Sequence, residues 1–303
     1  MEYVLQTKEV SKNFAGKMAV DHVSIGVKKG DVYGFIGENG AGKTTLMRMV
    51  CGLADPTGGE IELFGSRNLV GQRYKVGCTI ENPALYPAMT AMENMEVQRL
   101  LLGIRDKKVC GELLDMAGLS GAGNKKAKNF SLGMKQRLMT ALSLLGDPEF
   151  LVLDEPMNGL DPVGIKEVRD FLQRLNEARG MTILVSSHIL GELEKIATRY
   201  GVISGGKMVD EFRADELNVR CGKNLLIYAS DPQKTENVVN DMFKDTRCTR
   251  TPENSIRIKG HIEDAGRINE LLVRAGIIVN ALIPEGDNLE DYFLRLMGGY
   301  QYA

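Results

Sequence analysis

Apolar and small or polar positions alternate along Val23-Ser24-Ile25-Gly26-Val27, the two-residue period of an antiparallel strand with one face in water. Four later runs are apolar on both faces: Val32 to Ile36, Phe150 to Leu153, Thr182 to Val185 and Gly201 to Ile203. Strands of that kind sit inside a sheet covered on both sides. Between the last three runs lie helical patterns: Ile165, Val168, Leu172 and Leu175 recur at helical spacing behind Asp161-Pro162, an N-cap followed by a proline in the first turn. Strand and helix therefore alternate, which predicts an α/β fold with a parallel sheet covered by helices.

From about 82 to 130 this rhythm breaks, with helical stretches at Ala91 to Leu102 and Lys108 to Met116. Counted with the helix that follows, this predicts a helical insertion over about 82–145. Beyond Asp215 the pattern changes again. Leu225 to Ser230 reads as strand, Thr235 to Phe243 as helix, Thr246 to Thr251 and Ser255 to Gly260 as strands, Asp264 to Ala275 as helix, and Ile277 to Ile283 as strand. The order β-α-β-β-α-β is that of a ferredoxin-like unit. A last amphipathic helix covers about Leu289 to Met297. The expected organisation is a domain over 1–215 and a small α+β domain over 216–303.

Composition narrows the function classes. With 303 residues, 43% hydrophobic and 26% charged, the chain has the balance of a soluble globular protein large enough for two cores. Lys and Arg total 38 against 40 Asp and Glu, so no global field draws it to nucleic acid or anionic lipid. The cysteines are odd in number and lack a C-x-x-C pair, which argues against a disulfide framework or a zinc site and for a reducing cytosol. The N-terminus has no signal-peptide pattern, and no run of ~18 apolar residues occurs, so neither secretion nor a membrane span is expected.

The chemistry starts at Gly37-Glu38-Asn39-Gly40-Ala41-Gly42-Lys43-Thr44, which matches G-x-x-x-x-G-K-[ST] between a buried strand and a helical run. Glycines let backbone N–H groups wrap a β-phosphate, and the helix N-terminus adds positive potential. Lys43 can reach β- and γ-oxygens, and the Thr44 hydroxyl can ligate Mg²⁺. In a chain this long, chance matches number on the order of 0.03.

Asp154-Glu155 end the apolar run Phe150 to Leu153, which puts two carboxylates at the C-terminal edge of a parallel sheet, where ligands bind. One can hold Mg²⁺ through water and its neighbour can act as general base. Ser131 opens a helix with an apolar stripe of Leu138, Leu142 and Leu145. It suits an N-cap, and the same helix start could face a phosphate of another nucleotide site.

Three further strings carry a resemblance. Asn129 to Leu138, Leu151 to Pro162, and Ser186-Ser187-His188 resemble the signature, Walker B, D-loop and switch histidine of ABC-type ATPases, and with the phosphate loop the likeness covers about residues 2 to 215. The resemblance implies ATP and Mg²⁺ as ligands, with nucleotide contacts along Gly37, Glu38, Asn39, Gly40, Ala41, Gly42, Lys43, Thr44 and Thr45, and with Phe14 stacked on adenine. It also implies Glu155 as the base, His188 at the γ-phosphate, and Asp161 as the link between two sites. The signature residues Ser131, Leu132, Gly133 and Met134 would face ATP held by a second ATPase subunit, so a head-to-tail homodimer is expected. The sequence departs from the family pattern at Leu132 and Met134, which replace a glycine and a glutamine. It departs again at Glu81 in Ile80-Glu81-Asn82-Pro83, where the family usually carries a glutamine; Glu81 is a candidate catalytic residue that would orient water and, with Thr44 and Asp154, a candidate Mg²⁺ ligand.

Both departures, and the ending Leu289-Glu290-Asp291-Tyr292-Phe293-Leu294, resemble the ATPase subunits of bacitracin-resistance and lantibiotic-immunity exporters. The resemblance implies a separate transmembrane permease subunit, with the helical insertion as contact surface, and a place at the cytoplasmic face of the membrane. The alternative class is a non-transport ABC ATPase of DNA repair or of the ribosome. Repair members carry long coiled-coil insertions and ribosomal ones a duplicated nucleotide domain, and this chain has neither.

Overall fold

The computed structural model describes residues 2–81, 85–222, 224–243, 248–286 and 289–296, the side chains of 218 and 219 excepted. The chain divides into two compact units, Met1–Ala214 and Asp215–Ala303. The strands of the first unit, in chain order, are β1 (Tyr3–Phe14), β2 (Lys17–Val23), β3 (Gly26–Lys28), β4 (Val32–Ile36), β5 (Gly58–Leu63), β6 (Val76–Thr79), β7 (Phe150–Leu153), β8 (Thr182–Ser187), β9 (Arg199–Ser204) and β10 (Lys207–Arg213).

Long β1 pairs antiparallel with β2, β3 and β5. The second sheet runs β10-β9-β4-β8-β7-β6, parallel throughout except for β10 at its edge. The both-sides-apolar runs of the sequence are β4, β7, β8 and β9, and the first three are buried along their whole length. Where alternation suggested one strand from Val23 to Val27, the chain makes two. β2 stops at Val23 and β3 starts at Gly26. The buried Thr7 hydroxyl on β1 fills the break, donating to the Val23 carbonyl at 3.0 Å and accepting from the Ile25 N–H at 2.9 Å.

One core joins the two sheets. Leu5, Val10 and Val27 from the antiparallel layer meet Phe35, Phe150 and Leu184 from the parallel one, and Leu46, Met47, Met49 and Val50 of the helix Lys43–Cys51 lie in the same cluster. Burial of each such side chain stabilises by about 1.5–3 kcal/mol. The helix that follows the phosphate loop is thereby held rigidly.

Between β6 and β7 the described residues contain helices and no strand: Ala91–Leu101, Lys108–Met116 and Leu132–Ser143. The first is closed by a full capping box, Thr90 accepting from the Glu93 N–H and Glu93 from the Thr90 N–H. Among the described residues no helix is long and apolar enough to cross a membrane.

The second unit contains β11 (Asn224–Ala229), β12 (Thr249–Arg250), β13 (Ile256–Lys259) and β14 (Val279–Glu285), in the antiparallel order β12-β13-β11-β14. Helices Pro232–Met242 and Ala265–Arg274 cover its own core of Leu225, Ile227, Val239, Ile256, Ile258, Ile268 and Leu272. Of the strand expected over Thr246 to Thr251, residues 246 and 247 lie outside the described residues, as does Met297 at the end of the last helix, Leu289–Leu296.

Candidate nucleotide site

Parallel pairing aligns Ile36 with Ser187 and Leu153 with Val185, so β4, β7 and β8 end side by side. Their ends carry the Gly37–Thr44 loop, the Asp154-Glu155 pair and His188, which is how segments over 100 residues apart in sequence reach one place.

The loop shape is imposed by its neighbours. A Cβ at Gly37 would lie 2.5 Å from the Ile203 carbonyl, and one at Gly42 would lie 2.5 Å from the Ala19 carbonyl, with Gly42 also at φ 110°. Gly42 is the N-cap of helix Lys43–Cys51 and has no side chain to cap it, so the first-turn N–H groups receive no side-chain cap and are available to an anion. A cavity of about 140 Å³ opens there, lined by Ala19, Glu38, Asn39, Gly40, Gly42, Lys43, Thr44, Thr45 and Glu155.

Lys43 is buried, with its ammonium donating to the Gly37 carbonyl at 2.6 Å and the Glu38 carbonyl at 3.1 Å, and standing 3.4 Å from Glu155 Oε1. That Glu155 oxygen is buried and accepts no hydrogen bond. Its other oxygen, Oε2, lies 2.7 Å from His188 Nδ1, and the residue itself is held at φ 49°, a left-handed backbone unusual outside glycine. Thr44 Oγ1 donates to Asp154 Oδ2 at 2.6 Å, while Ser186 Oγ donates to Asp154 Oδ1 at 2.6 Å and accepts from the Glu155 N–H at 2.9 Å. Ser186 thus sets both acids at once. Sequence reasoning gave it no role, although its place at the end of β8, beside β7, was the available signal.

Glu81 is exposed and pairs with Arg48 on the phosphate-loop helix, a partner the sequence did not suggest because the two are 33 residues apart. It still borders a second cavity of about 370 Å³, together with Leu132, Gln136, Asp154, Glu155 and Asn158. Ser131 caps helix Leu132–Ser143, accepting from the Met134 N–H at 3.2 Å. Asp161 caps helix Pro162–Arg179 in the same way, accepting from the Gly164 N–H at 2.9 Å. Phe14, at the end of β1, is 49% exposed with the Lys12 ammonium 5.1 Å from its ring centroid, so its face is open rather than packed in the core.

The oxygens of Thr44 and Asp154 at contact distance form a hard donor set that fits Mg²⁺. A buried lysine, helix N–H groups without a side-chain cap and a carboxylate oxygen that accepts no hydrogen bond, around one cavity, can hold a polyphosphate and take a proton from water beside it.

Residues 20–158 match the family model described as ABC transporter. Along 302 residues the chain is 40% identical to the bacitracin transport ATP-binding protein BcrA of Bacillus licheniformis, covering 99% of each. The chain belongs to the ABC transporter family. It is one of the family's ATP-binding subunits, an ATPase whose hydrolysis drives transport. It is also 40% identical to the lantibiotic transport ATP-binding protein SrtF of Streptococcus pyogenes over 212 residues, 70% of this chain and 92% of that one. Among solved structures it is similar to a dimeric ATP-binding cassette in a post-hydrolysis state bound to ADP and Pi, at a TM-score of 0.62 and 26% identity, covering 69% of this chain and 98% of that one. ABC ATPases bind nucleotide, generally with Mg²⁺.

Proposed function

We propose that this chain powers the export of a peptide antibiotic, binding the cytoplasmic face of the membrane through a separate permease subunit and working as a head-to-tail homodimer. The observation that carries the cargo class is its likeness to a bacitracin transport ATP-binding protein across 99% of both chains, which includes the second unit. No feature favours DNA repair or the ribosome.

The site residues take these roles in our reading. Lys43 and the N–H groups of the Gly37–Thr45 loop hold the β- and γ-phosphates, with Phe14 against the adenine. Thr44 and Asp154 hold Mg²⁺, with Glu81 at the edge of the same cavity; the ion, when bound, offsets phosphate charge. Glu155 accepts the proton of the attacking water at Oε1, while His188 fixes Oε2 and meets the γ-phosphate. Ser131 and Gly133 face the ATP of the second subunit, Leu132 and Met134 complete the signature beside them without bonding the nucleotide, and Asp161 links the two sites. Residues 1–215 are the ATP-binding domain and 216–303 a ferredoxin-like appendage.

The test pairs chemistry with resistance. Glu155→Gln keeps the shape and the Mg²⁺ ligands but removes the base, so kcat for ATP hydrolysis falls by about 10²–10⁴-fold while Mg-ATP affinity stays within a few-fold. Cells expressing the parent chain with its permease should tolerate more bacitracin than cells expressing Glu155→Gln. Equal tolerance overturns the cargo assignment, and unchanged hydrolysis overturns the assignment of the base.

A further inference from the structure

Leu132, the first residue of helix Leu132–Ser143, is a large apolar side chain left 44% exposed. Its Cδ2 lies 3.4 Å from where a Cβ on Gly159 would stand, and Gly159 has φ 72°, so the side chain rests against the turn that follows Glu155 and not in a core. That turn is continuous with the base: the Asn158 N–H donates to the Glu155 carbonyl at 3.1 Å. Two further close approaches link helix Leu132–Ser143 to helix Pro162–Arg179. A Cβ at Gly133 would come within 3.2 Å of Gly164 Cα, and Arg137 donates to Glu167 at 2.9 Å. Gly164 in turn gives its N–H to Asp161.

Leu132 also separates two spaces. On one side is a groove of about 290 Å³ bordered by Leu85, Pro87, Ala127 and Met139, with Lys128 and Lys135 beside them; on the other is the cavity bordered by Glu81, Asp154, Glu155 and Asn158. Among the described residues, Leu132 is the one that both sets of walls share.

We propose that Leu132 is a positioning residue for hydrolysis, a prop that holds the turn Met157–Asp161 against the signature helix and closes the acidic cavity from the apolar groove. Glycine at 159 has no side chain with which to anchor that turn, so the contact must come from across the gap. With glycine at 132 as well, both sides of the contact are bare, and the turn between the base and Asp161 gains freedom. The effect falls on the arrangement of Glu155 and Asp161, not on the cradle formed by Gly37–Thr44. This rests on the roles given to Glu155 and Asp161 above.

The experiment uses the full chain and two readouts. In nucleotide-free protein, Leu132→Gly should raise hydrogen exchange at the Asn158 to Leu160 amides by tenfold or more, leaving the β4 and β8 amides unchanged. With Mg-ATP it should lower kcat by about 5–20-fold while KM stays within twofold. Leu132→Met, which keeps a long apolar side chain, should restore both; Leu132→Ala is read in the same way if the glycine variant does not fold. Unchanged exchange at the turn, or a raised KM at constant kcat, overturns the proposal. The exchange readout needs no nucleotide, so failure of the ATP-site roles would appear separately, as a parent chain whose hydrolysis is insensitive to Glu155→Gln.

Discussion

Cys51, at the end of the phosphate-loop helix, and Cys78, on β6, form a thiol pair. The hydrogen bond between them pulls Cys78 down to about 7, and the same bond together with burial pushes Cys51 well up. Burial pushes Cys248 up to about 11 and raises Cys110 as well. The thiolate is the reactive form, and it grows as pH rises through the pKa, so alkylation of exposed Cys78 should be half-maximal near pH 7 and precede every other cysteine. Mass spectrometry of peptides after brief iodoacetamide treatment at pH 6, 7 and 8 measures this; first labelling at Cys110 or Cys248 would contradict it. Cys51→Ser keeps a hydrogen-bond donor and should leave Cys78 reactive, whereas Cys51→Ala should slow it at pH 7. Residue identity alone told nothing of this, because the cysteines look alike in sequence until packing sets Cys78 beside Cys51.

At the scale of the element, the helix Leu132–Ser143 is fastened by Arg137. Its buried guanidinium donates to the Ala117 carbonyl at 2.7 Å, the Gly118 carbonyl at 3.2 Å and Glu167 at 2.9 Å, tying three helices of the first unit together. Glu167 is 46% exposed, so the ion pair itself is screened and contributes under about 1 kcal/mol. The bond to the Ala117 carbonyl is more valuable, because its loss leaves a buried acceptor unsatisfied. Arg137→Met should therefore destabilise by about 2–3 kcal/mol, a fall in Tm of roughly 4–10 °C, while Glu167→Gln should shift it by about 2 °C or less. Equal losses in calorimetry would show that the ion pair, and not the carbonyl clamp, holds the helix. Ser131 as an N-cap could be read from its residue type and the apolar stripe behind it, but Arg137 reads in the sequence only as one more charge in a polar stretch.

For the whole molecule, each unit has its own hydrophobic cluster, and the nucleotide residues named above all lie before Asp215. A chain ending after Asp215 should unfold in one cooperative transition and bind Mg-ATP within a few-fold of the full chain; a broad, non-cooperative melt would mean that the cut divides a shared core. The α/β class and the parallel sheet were legible before any coordinates, since a strand apolar on both faces and a helix with one apolar stripe are local patterns that burial imposes on consecutive residues. The phosphate loop was legible for the same reason, as its glycines and Lys43 lie within eight residues. Long-range partnership is not a local pattern. The break between β2 and β3 depends on Thr7, the setting of Asp154 and Glu155 on Ser186, the pairing of Glu81 on Arg48, and the support of Gly159 on Leu132. In each case the deciding atom comes from a segment distant in sequence that strand pairing or packing brings to the place, and so tertiary structure alone chose those contacts.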